Sequence, residues 1–260
     1  MRISEPSVQS LFLVAAVNGQ QLGSATGFIV VRGEKPFLIT NWHVASGRNP
    51  ETGQPRSNTG ATPDTLHIPM LLPPRQDRIE WKSTPYKLLN EDGSAAWLEH
   101  RRYGRRVDVV ALPLGSLDEG FELHPYQLES DAPRLRSQIS DFVNIVGFPF
   151  GRTAGGVFAI WTKGAIASEP DVNFEDLPCF LIDARTREGQ SGSPVIAYSP
   201  GGPTVLSDGS LAGFNGPVTN LLGVYSGRIN ERSDLGRVWK ASVITELIDD
   251  GFPGKGTLMP

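Results

Sequence analysis

The stretch Gly189-Gln190-Ser191-Gly192-Ser193-Pro194 decides how the rest of the chain is read. A serine between glycines in a tight turn is how several unrelated hydrolases present a nucleophile. A hydroxyl is a poor nucleophile near neutral pH unless a general base lies within hydrogen-bond reach and a third group orients that base. The histidines available are His43, His67, His100 and His124, and all precede Ser191. An α/β-hydrolase places its histidine after the nucleophile and wants glycine two positions beyond it, where this chain has Ser193. The order aspartate, histidine, serine finds no aspartate before Asp64 and so leaves only a later histidine such as His67. The order histidine, aspartate, serine has both partners in suitable local settings.

The first setting is Phe28-Ile29-Val30-Val31, a short turn over residues 32–35, then Phe37-Leu38-Ile39-Thr40-Asn41-Trp42-His43-Val44-Ala45. Two apolar, β-branched runs around a glycine-containing turn predict a hairpin, with His43 just past the end of a buried strand. The second is Val107-Asp108-Val109-Val110-Ala111-Leu112, where one carboxylate opens an otherwise apolar strand. Burying that carboxylate is unfavourable unless a donor satisfies it, and an imidazole N–H can do so.

With these blocks the chain resembles the chymotrypsin-like (trypsin-fold) serine peptidases, particularly the disulfide-free bacterial branch that includes the HtrA-type peptidases. Gly27-Phe28-Ile29-Val30 with Thr40-Asn41-Trp42-His43-Val44 is similar to the family's histidine block. Residues 108–112 are similar to its aspartate block and 183–194 to its nucleophile block. Val146-Gly147-Phe148-Pro149, Gly164-Ala165-Ile166 and Leu222-Gly223-Val224-Tyr225-Ser226 stand where the family has strands of its second barrel, and 238–248 where it has a C-terminal helix.

The resemblance implies an all-β fold of two antiparallel six-stranded barrels with a short C-terminal helix at about 240–249. The N-terminal barrel, within 1–125, would carry His43 and Asp108; the C-terminal barrel, within 126–260, would carry Ser191. It also implies roles. Ser191 attacks the scissile carbonyl, His43 takes and returns its proton, and Asp108 fixes the tautomer of His43. The N–H groups of Gly189 and Ser191 form the oxyanion hole. Arg185, Thr186, Tyr225, Ser226, Gly227 and Arg228 would line the substrate site, Ser226 offering main-chain hydrogen bonds to an extended peptide. An inward Arg185 or Arg228 would favour acidic side chains before the cut; outward arginines would leave a small or apolar pocket. The implied function is a serine endopeptidase acting through an acyl-enzyme on a protein or peptide. The alternative is a gated or non-catalytic peptide-binding module that needs a partner.

Composition fits a compact enzyme. The 260 residues include 29 glycines and 21 prolines, scattered as many short strands and tight turns require. A net charge of −4 disfavours nucleic acid as a partner. The basic run His100-Arg101-Arg102-Tyr103-Gly104-Arg105-Arg106 reads as a solvated loop. No H-E-x-x-H pattern is present, so neither metal nor cofactor is expected. The single cysteine, Cys179, permits no intrachain disulfide and lies in an apolar run, which favours the cytoplasm. Leu11 to Val17 reads as a first strand rather than a signal segment, and no stretch is long and apolar enough to span a membrane. Because strand pattern begins close to Met1, no activating pro-segment is expected, and nothing PDZ-like is expected after the helix. Control would then fall to an activating partner, an effector or the loops.

Between His43 and Asp108, Leu66-His67-Ile68 and Ile79-Glu80-Trp81-Lys82 read as strand. Residues 46–65 and 72–77 read as loops, and the first of these is expected to flank the cleft and restrict substrates.

Overall fold

The computed structural model describes residues 3–73, 78–115, 120–128, 133–230 and 232–254. The first half contains a helical turn α1 (Pro6–Gln9), strands β1 (Ser10–Val17), β2 (Gln20–Arg32) and β3 (Lys35–Thr40), and a short helix α2 (Trp42–Ser46). It continues with β4 (Thr65–Leu71), β5 (Trp81–Lys87), β6 (Leu98–Glu99) and β7 (Val110–Pro113). The second half contains β8 (Phe142–Gly147), β9 (Ile160–Ile166), β10 (Cys179–Asp183), β11 (Pro194–Ser199), β12 (Gly202–Val205), β13 (Leu211–Phe214), β14 (Val218–Arg228) and β15 (Leu235–Lys240). Helix α3 (Ser242–Asp250) and a two-residue strand β16 (Phe252–Pro253) close the chain.

The predicted hairpin forms. Phe28 pairs with Ile39 and Arg32 with Lys35 across the turn Gly33-Glu34, whose residues both have positive φ (53° and 66°). The β1–β2 turn uses Asn18-Gly19 in the same way, at φ 49° and 77°. Two-residue turns of this hand match the twist of the strands they join.

The second half closes as a barrel in the order β10-β15-β14-β11-β8-β9. In the first half, strands in the order β16-β6-β7-β3-β2-β1-β4-β5 form one eight-stranded sheet whose two edges do not ladder together. The all-β, trypsin-like expectation holds, as one closed six-stranded barrel, a further sheet and a short C-terminal helix. The segment after β5 turns at Asn90, with Asn90 N–H on Ser94 O (2.9 Å) and Ala96 N–H on Leu88 O (2.9 Å), and carries one isolated bridge between Leu89 and Ala95. Only Leu98 and Glu99 are then left to pair, so the seam is filled by turn contacts. The sheet still wraps one core, which holds Leu13, Leu38, Leu66, Ile68, Leu88, Trp97 and Leu112.

Side-chain alternation explains why β2 and β3 read as unbroken apolar runs. Ile29 and Leu38 face the core of the first sheet, whereas Phe28, Val30, Phe37 and Ile39 face a second core shared with the barrel. That shared core contains Val146, Phe148, Ile196, Val224 and Trp239 from the barrel, and Val243, Ile244 and Leu247 from α3. Strands covered on both faces need no polar alternation. Beyond α3, β16 returns to pair with β6, so the C-terminal segment straps the first sheet.

Of the loops expected between His43 and Asp108, residues 74–77 lie outside the described residues. Residues 46–65 form an ordered excursion in which Arg56 N–H bonds Gly47 O at 2.8 Å and Asn49 N–H bonds Gln54 O at 2.8 Å. Among the described residues no helix is long and apolar enough to cross a membrane, and no cluster of His, Cys, Asp and Glu could hold a metal ion.

Cys179 is fully buried in β10, and that burial pushes its thiol up to about 11. Thiolate is the reactive form. Native protein is therefore expected to resist iodoacetamide at about pH 8 and to take one adduct after unfolding. Rapid labelling of the native protein would contradict this placement.

Candidate active site

His43 and Asp108 meet in a buried contact. The His43 Nδ1 lies 2.7 Å from Asp108 Oδ2, and the backbone N–H of the same histidine donates to Asp108 Oδ1 at 2.9 Å. The two residues are 7% and 4% exposed. An ionised carboxylate only accepts, so the contact places the ring proton on Nδ1 and leaves Nε2 as the free acceptor.

The backbone geometry behind this pair keeps His43 just past the end of a buried strand, as expected, and adds a helical turn. Strand β3 stops at Thr40 and the chain turns into α2, so His43 stands on a buried helical turn. Gly47 ends that turn in the left-handed conformation (φ 66°) and donates its N–H to His43 O at 3.1 Å. Asp108 precedes β7 by two residues instead of opening it. Asn41, in extended conformation ahead of α2, donates Nδ2 to Asp108 O at 2.7 Å and so ties the two segments together.

Ser191 occupies a turn between β10 and β11. Gly189 has φ 87°, and a Cβ there would lie 2.3 Å from Phe148 O; Gly192 has φ 84°, and a Cβ there would lie 2.1 Å from Thr26 O. No other residue fits either position without displacing backbone. Gln190 is fully buried; its Oε1 accepts the Arg187 N–H at 2.8 Å and its Nε2 donates to Thr162 Oγ1 at 2.9 Å. Among the described residues, the backbone N–H groups of Gly189 and Ser191 have no intramolecular acceptor. The half-buried Ser191 hydroxyl makes no hydrogen bond to His43.

Thr26 joins the two segments. Its Oγ1 donates to Gly189 O at 2.8 Å and accepts the Phe148 N–H at 3.2 Å. Its N–H donates to Ser191 O at 2.9 Å, and its carbonyl accepts the Thr40 hydroxyl at 2.8 Å. Thr40 lies three residues before His43, so the serine turn rests on the strand pair that leads into the histidine.

Of the expected substrate positions, Arg185 and Arg228 are exposed and Gly227 is half-buried. Thr186 and Tyr225 are buried and joined by a short hydrogen bond between their hydroxyls. Burial raises the phenol's pKa, opposed by the Thr186 hydrogen bond and the Arg228 charge. Gly236 packs on the Tyr225 ring, where a Cβ would approach Cε2 to 2.5 Å. Ser226 Oγ accepts the Trp239 indole N–H at 3.0 Å. A cavity of about 1400 Å³ lies elsewhere, between the N-terminal segment, residues 125–128 and 134–138 and the start of α3, and none of His43, Asp108 and Ser191 lines it.

Sequence reasoning missed Thr26, Gln190 and Glu99. Glu99 is buried, and its Oε1 accepts the indole N–H groups of Trp42 (2.9 Å) and Trp97 (3.3 Å). A detectable signal was present for two of them. Thr26 is a polar residue just ahead of the apolar run of a doubly covered strand, and Glu99 is a carboxylate two residues after a tryptophan.

A closed β-barrel packed against a wrapped sheet, with a buried His–Asp contact on one and a serine turn between glycines on the other, is the arrangement of a trypsin-like peptidase. Residues 25–203, more than two thirds of the chain, match the trypsin-like peptidase domain family, and the chain belongs to it. No curated protein sequence matches the chain. Among solved structures, the serine endoprotease from Yersinia pestis is similar over 96% of this chain and 66% of its own, at 14% identity and a TM-score of 0.53. The active form of the Rv3671c protease from M. tuberculosis is similar over 97% of this chain and 85% of its own, at 17% identity and a TM-score of 0.51. At these identities the likeness is one of fold.

The Thr26→Val variant keeps shape and removes the hydroxyl that two backbone groups use. It is expected to lower unfolding free energy by about 1–3 kcal/mol in urea titration. A change below about 0.5 kcal/mol, the range of an ordinary surface substitution, would mean that other contacts hold the serine turn.

Proposed function

We propose that this chain is a serine endopeptidase in which His43, Asp108 and Ser191 act as a triad between a unit within 1–125 and a unit within 126–260. The observation that carries the reading is the double hold of Asp108 on His43, through Nδ1 and the backbone N–H, which commits Nε2 to the role of base. Ser191 Oγ attacks the scissile carbonyl while His43 Nε2 takes its proton. The resulting oxyanion is received by the unpaired N–H groups of Gly189 and Ser191. Collapse breaks the C–N bond, His43 returns the proton to the leaving amine, and the acyl group remains on Ser191. Water then releases it by the same route in reverse roles. No cofactor enters this scheme. A cytoplasmic location accords with a lone buried thiol.

The side chain before the cut would be small and uncharged. The Tyr225 ring fills the space between Thr186 and Gly236, and both arginines that could receive an acidic group are exposed. The ordered excursion 46–65, which starts directly after α2, would border the same cleft.

A second reading, a domain gated by a partner, draws on the missing hydrogen bond between His43 and Ser191. Such bonds also tighten only on substrate binding in active enzymes.

A fluorophosphonate probe is expected to add once to the wild-type protein and not to Ser191→Ala or His43→Ala, read by intact mass. The Asp108→Asn change should lower kcat by roughly 10⁴-fold, since the tautomer is then wrong. No adduct on folded wild type would favour the gated reading. In a peptide-library digest, cuts after Ala, Ser or Val should outnumber those after Phe, Lys or Glu by about tenfold. The Tyr225→Val variant should admit larger side chains, and cutting mainly after Lys or Arg in wild type would contradict the filled pocket.

A further inference from the structure

Two unfavourable features coincide at Phe150. Its backbone is left-handed (φ 55°, ψ 25°), a conformation that glycine or asparagine adopts far more readily, and the residue is 64% exposed. Among the described residues its ring stacks on no other ring and faces no cation, unlike the equally exposed Phe142, which has the Lys163 ammonium 4.0 Å from its centroid. Strain together with an exposed aromatic calls for a function.

The surroundings say which. The Phe150 N–H donates to Glu188 O at 2.7 Å, and Gly151 N–H to Phe148 O at 3.0 Å. A Cβ on Gly189 would lie 2.3 Å from Phe148 O and 3.0 Å from Gly151 N. Phe148 itself is anchored in the shared core with its ring 5.2 Å from that of Phe12. Phe150 is therefore fixed beside the Glu188-Gly189 end of the serine turn. The other end of the turn belongs to β14, through Gly192 N–H on Tyr225 O and Tyr225 N–H on Ser193 O, both 2.9 Å. If, as in the peptidase reading, the acyl portion of a peptide lies along residues 226–228 at the β14 end of the turn, its amine portion would leave at the Glu188-Gly189 end, where Phe150 stands.

We propose that Phe150 is a specificity-determining contact for the amine side of the scissile bond, selecting substrates with a large apolar side chain in the first or second position after the cut. This rests on the serine endopeptidase reading. Such a contact is made by the departing product and not by the acyl-enzyme, so it acts on peptide cleavage and not on deacylation.

The test compares wild type with Phe150→Asn, which suits the left-handed backbone and removes the apolar surface, and Phe150→Leu, which keeps apolar surface. A peptide library is digested, the residues following each cut are read by mass spectrometry, and fluorophosphonate labelling is followed in parallel. Wild type should prefer Leu, Ile or Phe over Gly, Ser or Asp by about tenfold. Phe150→Asn should flatten that ratio at least fivefold while the probe still labels Ser191, and Phe150→Leu should restore most of it. Labelling with no apolar preference in wild type, or a preference retained in Phe150→Asn, overturns this proposal alone. A change in self-association of Phe150→Asn by sedimentation velocity, with the preference intact, also overturns it by assigning the ring to a contact between copies. Absence of both labelling and cleavage in wild type overturns the peptidase reading and this one with it.

Discussion

The contact on which the site depends is that of Thr26 with the serine turn. One residue of β2 touches Gly189, Ser191, Phe148 and Thr40 by four hydrogen bonds, and its side chain is fully buried. A buried hydroxyl with donor and acceptor roles both filled is stabilising, and leaving either partner unpaired is what makes its loss unfavourable. Through Thr26 the position of Ser191 is referred directly to the strand pair that leads into α2 and His43. Two segments far apart in sequence are thus held to a common frame by short-range forces of fixed direction, which hydrophobic packing alone does not supply.

Packing supplies the rest of the frame. Because β2 and β3 are covered on both faces, neither can shift by one residue without exchanging the residues of one core for those of the other, so register is strongly specified. The shared core also includes α3, whose Val243, Ile244 and Leu247 close it, and β16 then ties the chain to β6 beside Glu99. Glu99 in turn holds the indole of Trp42, the neighbour of His43. The C-terminal segment, remote in sequence from the histidine, is thus part of what surrounds it.

Much of this was legible in the sequence because it rests on local pattern. The apolar runs at 28–31 and 37–40 and the glycine-bearing turn between them identify the hairpin, and the glycines at 189 and 192 mark positions where backbone approaches backbone. The order of histidine, aspartate and serine along the chain by itself narrows the fold. Three things were not legible, for one reason: they depend on contacts between segments distant in sequence. The turn of residues 88–97, the bond from Asn41 to the Asp108 carbonyl ahead of α2, and the packing of the Tyr225 ring against Gly236 all arise in this way. The inward or outward aim of Arg185 and Arg228 was left open for the same reason, since strand-end side chains follow neighbours that composition does not reveal.

The segments that carry His43 and Ser191 are both firmly held, and the freedom left is that of one side chain. Helix α2 has five residues, too short to persist by its own backbone bonds. It is fixed instead by side-chain contacts on three successive residues: Asn41 to the Asp108 carbonyl, Trp42 to Glu99, and His43 twice to the Asp108 carboxylate. Any displacement of the ring breaks contacts in a low-dielectric interior, where they are strongest. The serine turn is equally fixed at its backbone, by Thr26, Tyr225 and Gln190. What is not fixed on either side is the Ser191 hydroxyl, whose direction is set by one staggered torsion. In the proposed triad, the hydroxyl would be aimed by turning that one side chain while the backbone on both sides stays held. Among the described residues the N–H groups of Gly189 and Ser191 have no intramolecular acceptor, so in the proposed mechanism they would meet the developing oxyanion without rearrangement.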